Sequence, residues 1–127
     1  MDSSLTTPIP AVYRPLYSTL LIPLNQLAMT TSRTHAVLFT KEKCKPCLQT
    51  KEFIYDLLEH NLGLTDQLSF MKKENHSALV EAYDLNLYPT LLIVGPNGLE
   101  LDRVVGGAAI RDCIEQKLIA LYRENHE

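Results

Sequence analysis

The 127-residue chain contains no tryptophan, only three cysteines and only five glycines. So few glycines rule out a collagen-like repeat, and three cysteines are too few for a disulfide-stapled secreted scaffold. No run of 18 apolar residues occurs, so no membrane-spanning helix is expected. Basic charge is not in excess: twelve Lys and Arg against fifteen Asp and Glu leave a net charge of -3. That balance offers no overall attraction to nucleic acid or to an anionic membrane, and neither is expected as a partner. What is present, 46% hydrophobic and 21% charged residues, is the composition of an ordinary globular domain with one core.

Charge is spread unevenly. The first 40 residues carry only Asp2, Arg14 and Arg33, and they hold four of the seven prolines: Pro8, Pro10, Pro15 and Pro23. Proline at that density disfavours continuous helix and central strand. Residues 1–28 are therefore expected to be an N-terminal extension, partly disordered or an edge element formed by Leu20 to Leu27. Residues 29–127 are expected to form the domain. The Ser/Thr-rich, acid-poor start matches an organelle transit peptide weakly. A secretory signal fits less well, because Pro23, Asn25 and Gln26 interrupt the apolar stretch. A cytoplasmic location is the expectation, with the chain a monomer.

From Thr34 the patterns sharpen. His35 to Thr40 is a β-favouring run, and Ile54, Leu57 and Leu58 follow at helical spacing, with Asn61 and Gly63 to stop the helix. Leu68 to Met71 reads as a second strand, parallel to the first after so long a crossover. Asn75 or Ser77 is placed to cap a short helix with Leu79, Ala82 and Tyr83 on one face. Thr90 to Val94 and Leu99 to Val105 flank Gly95-Pro96-Asn97-Gly98 as a hairpin. After the Gly106-Gly107 break, Ile110, Ile114, Leu118 and Leu121 line one face of a final helix. The expected order is β-α-β-α-β-β-α, an α/β fold.

Cys44 and Cys47 stand as C-x-x-C between the first strand and its helix. One helical turn brings two such sulfurs within bridging distance. The first meets the unpaired amides and positive end of the helix, which favour its thiolate. Lys41, Lys43 and Lys45 act in the same direction. Pro46 falls in the first turn, where its missing N–H costs little and its ring stiffens the motif. Cys44 is thus the expected nucleophile and Cys47 the resolving thiol, and the chemistry requires the Cys44 sulfur to be ionised near neutrality and open to solvent. Such a pair is also half of a zinc site, but the remaining donors, Cys113, His35, His60, His76 and His126, contain no second paired motif. A purely structural bridge across so short a loop removes little unfolded-state entropy.

With these residues in view, the chain resembles the thioredoxin superfamily over roughly residues 34 to 125. The resemblance rests on strand 35–40 entering Cys44-Lys45-Pro46-Cys47, on Tyr88-Pro89-Thr90, on the hairpin around Gly98, and on Gly106 before the last helix. It implies a thioredoxin fold, a central mixed sheet of four to five strands flanked by helices. It also implies a cis Pro89 near the sulfurs and a substrate-binding segment of Tyr88, Pro89, Thr90 and Gly106, in which the Tyr88 backbone pairs with an extended target. The activity implied is thiol-disulfide exchange on protein disulfides, with a reductase or other thiol donor as second partner and no cofactor. Two departures stand out. Lys43 and Lys45 replace the tryptophan and glycine that thioredoxins carry around the first cysteine, and Leu38 stands where they bury an aspartate. The strand running directly into Lys-Glu-Lys-Cys also resembles glutaredoxin-like electron donors. A thioredoxin-fold binding module without turnover is the remaining alternative.

Outside the motif, Cys113 is expected to pack as a small hydrophobe in the core. Asn75-His76-Ser77 matches a glycosylation acceptor but is read as a helix cap, and His35 and Glu42 are expected at the solvated surface.

Overall fold

Residues 33–126 are described by a computed structural model, and within them two strands are buried on both faces. Strand β1 (His35–Thr40) is buried at every position after His35, and β3 (Thr90–Val94) is buried throughout. Continuous apolar runs of this kind belong at the centre of a sheet covered on both sides. β1 pairs in parallel with β2 (Leu68–Lys72), from Ala36 opposite Leu68 to Thr40 opposite Lys72. Its other side pairs antiparallel with β3, and β3 pairs antiparallel with β4 (Glu100–Val105). The four strands of the described residues lie in the order β2-β1-β3-β4.

Alternation along the two central strands sends side chains to two separate cores. On one face Ala36, Leu38, Leu91 and Ile93 meet Ile54 and Leu58 of helix α1 (Lys45–Glu59). Helix α3 (Gly107–His126) closes that face with the expected stripe of Ile110, Ile114, Leu118 and Leu121. On the other face Val37, Phe39, Leu92 and Val94 pack against Leu79 of the short helix α2 (Ser77–Ala82) and against Leu85. Each fully buried Leu or Ile contributes about 1.5 to 3 kcal/mol relative to exposure.

The turns carry their own chemistry. Asn97 and Gly98 both take left-handed backbone (φ 63° and 82°), the conformation that Asn and Gly accept most readily and that matches the twist of a two-strand hairpin. Helix α1 ends at Glu59, and the Asn61 side chain donates to the Leu57 carbonyl at 2.9 Å, so Asn61 serves the expected stop. Gly63 instead lies inside a 3-10 turn, Leu62–Gln67.

One local expectation is corrected. Neither Asn75 nor Ser77 caps α2: Asn75 closes a 3-10 turn over Lys73–Asn75, His76 takes the cap position, and Ser77 is the first helical residue. The extra turn shifts the helix start, because the chain leaving β2 at Lys72 winds tightly before it enters α2. The expected extension at 1–28, the element at Leu20 to Leu27, and the domain start at residue 29 lie outside the described residues. No helix among the described residues is long and apolar enough to cross a membrane.

Candidate redox site at the start of α1

Cys44 occupies the cap position of α1, with extended backbone (φ -126°, ψ 101°), and Lys45 is the first helical residue. Its sulfur takes the role that Ser or Asp usually plays there: the Cys47 amide donates to Cys44 Sγ at 3.2 Å. The preceding Lys43 has positive φ (54°), which turns the chain sharply out of β1 and aims Cys44 back toward the helix. Pro46 sits in the first turn. A disulfide joins Cys44 and Cys47, whose Cα atoms are 5.2 Å apart.

A second segment meets the first at the sulfur. The Tyr88-Pro89 peptide bond is cis, as the resemblance implies, and the Tyr88 carbonyl oxygen lies 4.0 Å from Cys44 Sγ. The Gly106 amide donates to the Pro89 carbonyl at 2.9 Å, holding the start of α3 beside this loop. Gly106 has φ +99° and open space where a side chain would stand. Thr90 is buried, and its hydroxyl donates to the Leu87 carbonyl at 2.5 Å, so it braces the loop from within. Tyr88 is half-buried, with its hydroxyl on the Leu85 carbonyl at 3.2 Å. Burial pushes the Tyr88 phenol pKa up, and the charge of Glu74 adds to that shift.

Beside the disulfide opens a cleft of about 200 Å³ lined by Thr40, Lys41, Glu42, Lys43, Cys44, Cys47, Leu48, Lys51 and Lys72. Lys72 Nζ lies 3.4 Å from a Glu42 carboxylate oxygen, and the Glu42 amide donates to Glu74 at 3.2 Å. That amide contact, with Lys72 and Lys73 nearby, holds the Glu74 carboxyl below its usual range. Lys73 Nζ stands 5.6 Å from the centre of the Tyr88 ring, within cation–π range.

The structure therefore gathers Cys44, Cys47, Lys43, Tyr88, Pro89 and Gly106 around one disulfide. Lys45 is exposed at the helix start but does not line the cleft. Cys44 is less open to solvent than expected: the residue is 6% exposed and Cys47 2%, because the helix turn and the Tyr88 loop close around them, and both cysteines line the cleft. Sequence reasoning missed Leu48 and Lys51, although they stand four residues after Cys44 and Cys47 and so share their helix face. It also missed Lys72, which only the parallel pairing of β2 brings to the cleft.

Leu38 stands as expected, and two further residues, Cys113 and His35, do not. Leu38 is fully buried among Ile54, Leu58 and Leu91, confirming an apolar group in place of an acid. Cys113 is half-buried rather than in the core, with burial raising its pKa, and it is not disulfide-bonded. His35 is half-buried too, because it opens a central strand, and burial lowers its pKa. Glu42 is exposed as expected. Among the described residues no group of three or more His, Cys, Asp or Glu is placed to hold a metal ion.

No family model matches this chain, and no curated protein matches it in sequence. Solved structures do match in shape. A thioredoxin from Malassezia sympodialis superposes with a TM-score of 0.64 at 15% identity, over 81% of this chain and 89% of its own. A thioredoxin from Trypanosoma brucei brucei gives 0.61 at 16% identity, over 97% of both chains. The oxidised form of mitochondrial thioredoxin 3 from Saccharomyces cerevisiae gives 0.58 at 16% identity, over 84% and 99%. The chain has the thioredoxin fold, with a bonded C-x-x-C pair at the head of α1.

Proposed function

We propose that the protein is a thiol-disulfide oxidoreductase that reduces or exchanges protein disulfides through Cys44 and Cys47. The observation that carries this reading is the position of the bonded pair. One sulfur accepts the Cys47 amide at the head of α1 and lies 4.0 Å from the Tyr88 carbonyl. An amide donor and the positive end of a helix both favour a sulfur that carries negative charge.

In the reduced protein the Cys44 thiolate attacks one sulfur of a target disulfide. A mixed disulfide forms and the target's other sulfur leaves as a thiolate. Cys47, deprotonated, then attacks Cys44 Sγ, closing the internal bridge and releasing the target's second thiolate. Two electrons pass to the target, protons from solvent neutralise its thiolates, and the protein is left in the bridged form. A dithiol or thiol donor restores the reduced pair by the reverse exchange. The proposal includes the Tyr88-Pro89 segment and Gly106 as the docking edge for the target chain. It takes Lys43, Lys45 and Pro46 as residues that tune the pair, and a monomer in the cytoplasm as the working form.

Cys47→Ser should trap targets covalently through Cys44, whereas Cys44→Ser should not. Equal trapping by both variants would reverse or remove the assigned roles. One observation favours a second reading, a binding module without turnover: the site has Leu38, a fully buried apolar residue, where thioredoxins place an acid. Partner binding that survives replacement of both cysteines would support that module. Disulfide reduction that vanishes with Cys44 supports the enzyme, and a comparison of thioredoxin reductase with glutathione as the electron source separates a thioredoxin-like from a glutaredoxin-like donor.

A further inference from the structure

The cleft beside the disulfide has a charge opposite to that of the chain. Among the described residues, Lys41, Lys43, Lys51 and Lys72 line it against Glu42, a net of three positive charges in the lining of a molecule whose formal net charge is -3, with Glu74 accepting from the Glu42 amide beside Lys73. Among the described residues Lys72 faces the Glu42 carboxylate, at 3.4 Å. The lysines come from three places: the loop after β1, the second turn of α1, and the end of β2. Lys51 lies seven residues past Cys44, about 10 Å along the helix. Lys72 stands opposite Thr40 in the sheet register. Exposed Leu48 adds an apolar surface among them.

Positive charge gathered in a concave site next to the reacting atoms raises the local concentration of anionic substrates and repels cationic ones. Because these charges are spread over the loop before α1, the second turn of α1 and the end of a neighbouring strand, they suit a chain with several carboxylates rather than a single anionic group. We propose that this cleft is a specificity subsite for acidic polypeptide, receiving Asp- and Glu-rich residues that flank the target's cysteines while Cys44 reacts. The inference rests on the dithiol reading above and adds the substrate class.

The test uses the full chain, reduced beforehand and freed of reductant. It is mixed with three disulfide-bridged peptides of equal length whose flanking residues are Glu, Gln or Lys, and with oxidised glutathione. Formation of the Cys44–Cys47 bridge is followed at about 20 mM and about 500 mM salt, where screening lengths differ severalfold. At low salt the Glu peptide should react at least about tenfold faster than the Lys peptide. High salt should bring the two to within about threefold.

The double variant Lys41→Glu with Lys51→Glu should invert the order. If that variant does not fold, Lys51→Gln alone should reduce the Glu preference about twofold, the size of one exposed charge interaction. Equal rates for the Glu and Lys peptides at low salt, or a preference untouched by these variants, overturn the subsite and leave the dithiol reading standing. Faster reaction of glutathione disulfide than of the Glu peptide overturns the choice of polypeptide. Reaction with none of the four probes overturns the dithiol reading itself, and the subsite with it.

Discussion

The Cys47 amide donates to the sulfur of Cys44 across 3.2 Å, so the first turn of α1 is closed by its own reactive pair. The same amide is expected beside Cys44 in the reduced protein, and the exposed lysines at 43 and 45 flank that cysteine in the chain. These groups stabilise the thiolate and therefore the reduced state. The protein should accordingly be less reducing than a typical thioredoxin, with a potential above about -270 mV. Replacing Lys43 and Lys45 together by Ala should lower the potential by about 10 to 20 mV, the equivalent of 0.5 to 1 kcal/mol of exposed charge interaction. Equilibration of each protein with a glutathione buffer measures both values.

Leu38 is fully buried beneath the site. Leu38→Asp would restore the acid that thioredoxins carry, but into an apolar core that disfavours ionisation, so its carboxyl pKa would rise. It should cost about 2 to 5 kcal/mol in urea unfolding at neutral pH. Because the folded-state pKa exceeds the unfolded one, the penalty should grow as pH rises above about 4. A variant as stable as the parent at every pH would show that the site is not sealed from water.

The start of α3 packs on the start of α1 at Gly107. A methyl group there would lie 2.8 Å from Thr50 Oγ1 and 3.0 Å from Arg111 Nη1. Gly107→Ala should destabilise by about 1 to 3 kcal/mol through overpacking, and Thr50→Ala in the same chain should recover part of the loss. Gly106→Ala meets no crowding but keeps φ at +99°, so its cost, about 1 to 2 kcal/mol, comes from the backbone and should not respond to Thr50→Ala. Thermal or urea unfolding of the four variants separates the two causes.

Burial holds the His35 pKa below 6.5, partly offset by a hydrogen bond involving the Arg33 backbone. In that window the unfolded chain takes up a proton that the folded chain does not. The His35 contribution is therefore present above pH 6.5 and is lost as pH falls toward the folded value. His60 is shifted the other way by the Asp56 carbonyl, so the contrast must be internal. His35→Gln should lose less stability between pH 7.5 and 5.5 than the parent does. Equal losses in urea unfolding would refute the assignment.

Much of this molecule was legible locally. The apolar run at 35–40, the stripe from Ile110 to Leu121 and the Asn97-Gly98 turn are recorded in residue order, because strand, helix and turn preferences act over a few neighbours. The α2 cap was misread because a 3-10 turn inserted at Lys73–Asn75 has no strong signature of its own.

The sequence alone determined the order of elements and the placing of Cys44 and Cys47 at the head of a helix, since both follow from side-chain period and backbone sterics within one segment. Tertiary structure decided the rest: the Tyr88 carbonyl beside Cys44, Lys72 facing Glu42, and Gly107 against Thr50. Each of those pairings joins residues tens of positions apart. Their distances depend on how the two apolar faces of the sheet draw the helices onto it, and no window of adjacent residues contains that information.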